Sequence, residues 1–223
     1  FTYVLRDMTH KEGGFYSAED ADSEGEEVVF YIWSKEELIE ILGPEDGSRM
    51  AKIFGFSDNG NFRDEASGKS TGNNIPYLPR SKDELAKKSG MSIDEFDGFI
   101  EISRQQLFDV REKRIHPLKD DKILTDWNGL MIAALALGGQ VLDEPEYITA
   151  AERAAGFVEK NLRDKKGRLM KRYRLGKAGL SPHLDDYSFM VWGLLNLYET
   201  TFDTEYLARA IEFTDIMNKD FSD

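Results

Sequence analysis

The chain has 223 residues, with 29 basic and 42 acidic side chains, a formal charge of −13 and a pI near 4.8. At 40% hydrophobic and 12% aromatic its composition is globular rather than disordered. The acidic balance speaks against non-specific nucleic-acid binding, which needs a positive face, and the absence of cysteine excludes disulfides, thiolate zinc sites and dithiol chemistry within the chain. The longest apolar run, Leu130 to Leu137, falls far short of the ~20 residues of a membrane helix. Neither nucleic acid nor membrane is therefore expected as a partner, and the chain is read as soluble and cytoplasmic. It starts without Met and without a signal-peptide pattern, which predicts a piece of a longer protein.

In chain order, Phe1 to Met8 reads as the end of a helix, broken by Gly13-Gly14. Phe15-Tyr16 and the run Val28 to Trp33 are β-rich, and the acidic segment Glu19 to Glu27 between them predicts a hairpin with an acidic tip. Ser34 with Glu37 forms a capping box, opening a short helix that ends at Gly43-Pro44. Residues 55–80, rich in Gly, Asn, Asp and Ser, predict a long loop. Ser81 with Glu84 and Ser92 with Glu95 repeat the capping device. The stripe Ile93, Phe96, Ile100, Leu107 and Val110 then predicts a helix to about Arg114, closed by His116-Pro117.

From residue 126 the pattern becomes regular. Asp126–Leu142 and Asp186–Thr201 are apolar nearly all round, and they begin 60 residues apart. Glu146–Leu162 and Thr204–Lys219 are amphipathic. A helix apolar on every side is expected to be buried on every side, with an amphipathic helix lying outside it. The alternation predicts an all-α fold with a small β-hairpin: a partial (α/α)6 toroid of the six-hairpin glycosidase kind, with residues 1–223 forming part of one toroid domain. A helical bundle or helix-pair solenoid is the rival.

The two apolar helices open alike, with Thr125-Asp126-Trp127-Asn128-Gly129 and His183-Leu184-Asp185-Asp186-Tyr187. In a toroid such N-termini face one mouth, where helix dipoles and unpaired N–H groups favour polar ligands. An acid beside an aromatic suits a sugar, because the carboxylate binds hydroxyls or moves protons and the ring stacks on the sugar face. The competing reading is a helix cap beside a core aromatic. On the sugar reading the candidate catalytic residues are Asp185, Asp186, Asp126 and His183. The candidate substrate-binding residues are Tyr16, Glu19, Asp20, Asp22, Trp33, Trp127, Asn128 and Tyr187. Asp20, Asp22, Glu24 and Gly25 match positions 1, 3, 5 and 6 of a calcium loop, but Tyr31 stands where the bidentate glutamate belongs. No metal and no cofactor is expected. GxSxG, P-loop and GxGxxG motifs are missing.

Four segments carry a family resemblance: Glu12-Gly13-Gly14-Phe15-Tyr16-Ser17-Ala18-Glu19-Asp20-Ala21-Asp22-Ser23, Phe30-Tyr31-Ile32-Trp33, Asp121 to Met131, and Asp185-Asp186-Tyr187 with Gly193-Leu194-Leu195. In this order and approximate spacing they resemble the thioredoxin-domain protein family related to spermatogenesis-associated protein 20. The resemblance implies an (α/α)6 toroid like that of N-acylglucosamine 2-epimerases, preceded by a thioredoxin-like domain and completed by further hairpins, neither of which this chain would contain. It carries no established activity, and the histidine pair of the sugar epimerases has no counterpart that can be placed here.

The expected function is a carbohydrate-active toroid, acting as a sugar isomerase or epimerase or as a glycosidase on a small sugar or sugar derivative. Asp186→Asn is expected to abolish turnover with the fold intact. The alternative is a non-catalytic scaffold or recognition domain serving a thioredoxin-like domain. A toroid stopped part-way would expose apolar flanks and self-associate.

Overall fold

The computed structural model describes residues 1–23, 26–63 and 68–221, and for Glu26 and Glu27 the backbone alone. The elements run α1 (Thr2–Asp7), β1 (Ala18–Glu19), β2 (Asp22–Ser23), β3 (Glu26–Glu27), α2 (Lys35–Leu42), α3 (Pro44–Ile53), α4 (Lys82–Lys88) and α5 (Ile93–Arg111). They continue with β4 (Lys119–Asp120), β5 (Ile123–Leu124), α6 (Thr125–Leu142), α7 (Pro145–Asn161), β6 (Arg172–Arg174), β7 (Lys177–Gly179), α8 (Leu184–Thr201) and α9 (Thr204–Phe221). Two compact units result, one from Phe1–Glu19 with Lys119–Asp223 and one from Asp20–Leu118. Among the described residues no helix is long and apolar enough to cross a membrane.

The first unit is a pair of helical hairpins with short antiparallel sheets at its edge. α6 and α8 pack on each other, with α7 against α6 and α9 against α8. This is the inner-and-outer helix order of an (α/α) toroid, carried by two successive hairpins. The core follows from the periodicity: Ile132, Leu135 and Ala136 of α6 meet Met190, Leu194 and Leu197 of α8, and Ala151, Ala154, Val158 and Phe213 close it from the outer helices. Two glycines let the inner helices touch. A Cβ on Gly129 would lie 2.5 Å from the Phe189 carbonyl carbon, and one on Gly193 2.7 Å from the Gly129 oxygen.

The inner helices are not buried on every side, which corrects the expectation. α6 exposes an apolar stripe through Trp127, Leu130, Leu137 and Val141, and α8 exposes Trp192 and Leu195. β1 pairs with β4 (Ala18 with Asp120), while β5, β6 and β7 form an antiparallel ribbon with Ile123 opposite Tyr173 and Arg172 opposite Gly179.

In the second unit α2 and α3 form a hairpin and α5 packs on both. Capping boxes at Ser34–Glu37 and Ser92–Glu95 open α2 and α5. α2 ends at Gly43 as expected, and Pro44 then starts a further helix, α3, at a position where its missing N–H is an orphan anyway. The expected hairpin between Phe15-Tyr16 and Val28–Trp33 is also corrected: β2 and β3 pair inside the acidic segment, and residues 28–31 are turns. The cause is Arg114. Its guanidinium donates to the carbonyls of Val29, Phe30 and Ile32 (3.3, 3.1 and 2.8 Å) and to Glu37 (3.0 Å), gathering acceptors that a strand would spread apart.

Among the described residues 54–81 there is no helix or strand, and Asn74 organises the stretch. Fully buried, it accepts from the Ser57 and Asn61 N–H groups (2.9 and 3.1 Å), donates to the Ser57 and Gly72 carbonyls, and bridges to Trp33 through its backbone. Asn74→Ala strands those groups, so a loss of about 2–3 kcal/mol is expected. Urea denaturation should show it as a lower midpoint at constant slope.

Candidate functional site

The site is built where α6 and α8 begin. Thr125 anchors the first turn of α6, its N–H donating to the Lys171 carbonyl at 3.1 Å and its hydroxyl to the Met170 carbonyl at 2.5 Å. This brings Lys171 over the helix start. Its ammonium lies 2.6 Å from Asp126 Oδ2 and 3.3 Å from Asp186 Oδ1. Asp186, 0% exposed, accepts the Asp126 N–H on Oδ1 at 3.1 Å and the His183 N–H on Oδ2 at 2.7 Å. One carboxylate thus caps its own helix and the neighbouring one, and one lysine ammonium bridges two buried acids.

Burial pushes the Asp186 carboxyl above the usual carboxylate range. The His183 N–H and the Lys171 charge pull it down, while the Asp126 charge adds to the rise. Burial works to lower the Lys171 ammonium, but its hydrogen bond to Asp126 and the charges of Asp186 and Asp126 outweigh that and hold it above an ordinary lysine. Lys171 was not among the expected site residues. Its partners lie 45 residues before it and 15 after it, with no periodicity linking them.

The structure brings Asp126, Trp127, His183, Asp185 and Asp186 together in these two first turns. Trp127 is 52% exposed, and His183 and Asp185 are exposed. Asp186 and Asp126 are buried, so they shape the site through what they hold. With Asp186 buried, Asp186→Asn is now expected to weaken the fold as well, because an amide replaces one acceptor with a donor among two N–H groups and an ammonium.

Asn128 and Tyr187 also turn inward. Asn128 accepts the Phe15 N–H (2.8 Å) and donates to the Phe15 and Leu124 carbonyls (3.0 and 2.8 Å). The Tyr187 hydroxyl accepts the Leu169 N–H at 3.1 Å, and its ring packs edge-on against Phe213 inside the core. Neither has a face left for a ligand. Tyr16 is half-buried under the Lys119 ammonium, and Glu19 is bound by the Tyr3 hydroxyl at 2.6 Å and paired with Lys119 at 3.4 Å.

The remaining candidates belong to the second unit. Trp33 is core there, its ring covered by the Arg114 guanidinium at 3.9 Å, which corrects its stacking role. Asp20 and Asp22 are exposed, and Asp20 Oδ1 accepts the Asp22 N–H at 3.2 Å. Glu24 and Gly25 of the calcium-loop match lie outside the described residues. Among the described residues no group of three or more His, Asp or Glu side chains stands close enough to hold a metal ion.

Paired helical hairpins joined at their inner N-termini define a protein of the (α/α) toroid kind. The chain is homologous to spermatogenesis-associated protein 20: it is 32% identical to the Homo sapiens and Rattus norvegicus proteins across 99% of its own length and 31% of theirs. An uncharacterized Caenorhabditis elegans protein is 32% identical across 97% of this chain and 33% of its own. The chain thus spans about a third of the length of the curated relatives it matches. No protein-family model matches it. Among solved structures it is similar to a GH76 α-mannanase of Bacteroides thetaiotaomicron (TM-score 0.44, 14% identity, 67% of this chain and 48% of that one). It is also similar to cellobiose 2-epimerase of Bacillus thermoamylovorans (TM-score 0.41, 10% identity, 97% of this chain and 51% of that one).

Proposed function

We propose that the joined first turns of α6 and α8 form a carbohydrate-active site. The supporting observation is the 3.1 Å hydrogen bond from the Asp126 N–H to Asp186 Oδ1, because it holds an exposed indole, an exposed carboxylate and an exposed imidazole on two neighbouring helix starts. In this reading Trp127 offers an apolar face to a sugar ring. Asp185 and His183 move protons, as general acid and base for hydrolysis or for abstraction alpha to a carbonyl. Lys171, Asp126 and Asp186 are positioning residues. The substrate is a small sugar or sugar derivative, handled in the cytoplasm.

The test is turnover by the chain on a panel of mono- and oligosaccharides. Asp185→Asn is expected to cut kcat by about 10²–10⁴-fold with an unchanged melting temperature, because the side chain is exposed and holds no part of the core. Full activity in that variant overturns the assignment. A second reading, a non-catalytic recognition domain, draws on the apolar stripe Trp127, Leu130, Leu137 and Val141, which suits a protein partner or a second copy better than a sugar does. It predicts no response to any sugar and an Asp185→Asn variant indistinguishable from the parent.

A further inference from the structure

In a chain of charge −13, no acidic residue stands between Asp164 and Asp185, and seven basic ones crowd into residues 165–177. Part of this cluster folds as the ribbon β6–β7. Its arrangement is costly: Arg174 and Lys177 are directly opposite each other across the strands, a like-charge pairing that weakens a ribbon. Asp121 relieves Arg174 at 2.5 Å. Among the described residues Lys177 and the Arg172 guanidinium have no acidic partner, and Arg172 Nε is a buried donor with nothing to receive its proton. The residue facing Arg172 across the ribbon is Gly179, and a Cβ placed there would meet no atom within 4 Å. Arg172 thus carries a buried Nε without a partner, and the ribbon is open at the residue paired with it, Gly179.

The ribbon is attached to the candidate site at its base. The Lys171 N–H donates to the Leu180 carbonyl at 3.1 Å, the Lys171 side chain grips Asp126 and Asp186, and three residues after Leu180 the chain reaches His183. We propose that Arg172 and Lys177 bind the anionic group of a charged sugar, a phosphate or a carboxylate, whose ring is handled at the α6 and α8 first turns. This rests on the carbohydrate reading and narrows its substrate class. A guanidinium meets such an anion through two parallel N–H donors, and Lys177 adds a mobile point charge.

The experiment measures binding of mannose, mannose 6-phosphate, glucuronate and inorganic phosphate to the chain by titration calorimetry. Arg172→Gln, Lys177→Gln and Gly179→Glu are tested beside it. Gly179→Glu removes no cation and instead supplies an internal carboxylate opposite Arg172. One or both charged sugars should bind at least about tenfold tighter than mannose, weaken as salt is raised, and lose about tenfold in each variant. The phosphate and the carboxylate arms decide which anion is preferred. Equal binding of mannose and both charged sugars overturns the inference while leaving the carbohydrate reading in place. So does undiminished charged-sugar binding in all three variants, or inorganic phosphate binding as tightly as mannose 6-phosphate. Absence of binding by every sugar overturns the carbohydrate reading itself.

Discussion

Lys171→Met is expected to destabilise the first unit by about 3–5 kcal/mol at neutral pH, because it leaves Asp126 and Asp186 buried side by side without a counter-charge. The loss should shrink in acid. With the lysine gone, burial and the Asp126 charge act on Asp186 opposed by the His183 and Asp126 N–H groups but by no counter-charge, so its folded-state pKa rises further above the unfolded value. Between those two values the folded state holds a proton that the unfolded state has released. Stability in the variant therefore climbs as pH falls through that window and is lost as pH rises through it. The parent behaves differently on the alkaline side. Lys171 is raised, so its contribution is full below the ordinary lysine value of 10.5 and disappears only as pH rises through its higher folded value. Denaturant melts of both proteins from acid to alkaline pH would show the two profiles converging in acid. Parallel profiles would mean that the lysine does not neutralise the pair.

Gly129→Ala should cost about 2–3 kcal/mol, although alanine improves helix propensity by about 1 kcal/mol at an interior position. The new methyl would sit 2.5 Å from the carbonyl carbon of Phe189 and 2.6 Å from the nitrogen of Met190. Both are backbone atoms of α8, so no rotamer change relieves the clash and the two inner helices must separate. Gly193→Ala strikes the same crossing from the other side, 2.7 Å from the Gly129 oxygen. Once the helices have moved apart, the second methyl meets less resistance, so the double variant should lose less than the two losses added together. Thermal melts of the two single variants and the double variant measure this, and strict additivity would show that they act on separate contacts.

The helix pair α6 and α8 and the capping boxes of α2 and α5 were readable from local chemistry. Ser34 with Glu37 and Ser92 with Glu95 are complete signals within four residues, and the long, nearly uncharged stretches of α6 and α8 mark the helices that pack on each other, although their exposed apolar stripes were not foreseen. α3 was not readable. Met50, Ala51 and Ile53 come in its last turn, after a polar start headed by a proline that resembles a stop. Val28 to Tyr31 has the composition of a strand, but Arg114, more than 80 residues away, imposes turns by collecting its carbonyls. The site divides in the same way. Asp126, Trp127, His183 and Asp185 announce themselves at helix starts. The inward use of Asn128 and Tyr187 depends on Phe15 and Leu169, which neither motif mentions. Lys171 is a strand-flanking lysine in sequence, and only the fold reveals what it holds.

Ala18 and Glu19 pair with Asp120 and Lys119, so the backbone departs from the first unit and returns to it at adjacent positions. Topologically, residues 20–118 are an insertion whose ends are already clamped a strand's width apart. The entropy of closing such a loop grows only with the logarithm of its length. The first unit is consequently almost indifferent to how long the inserted segment is. Lengthening, shortening or wholesale replacement between those two strands leaves intact the covalent frame that aligns α6 with α8.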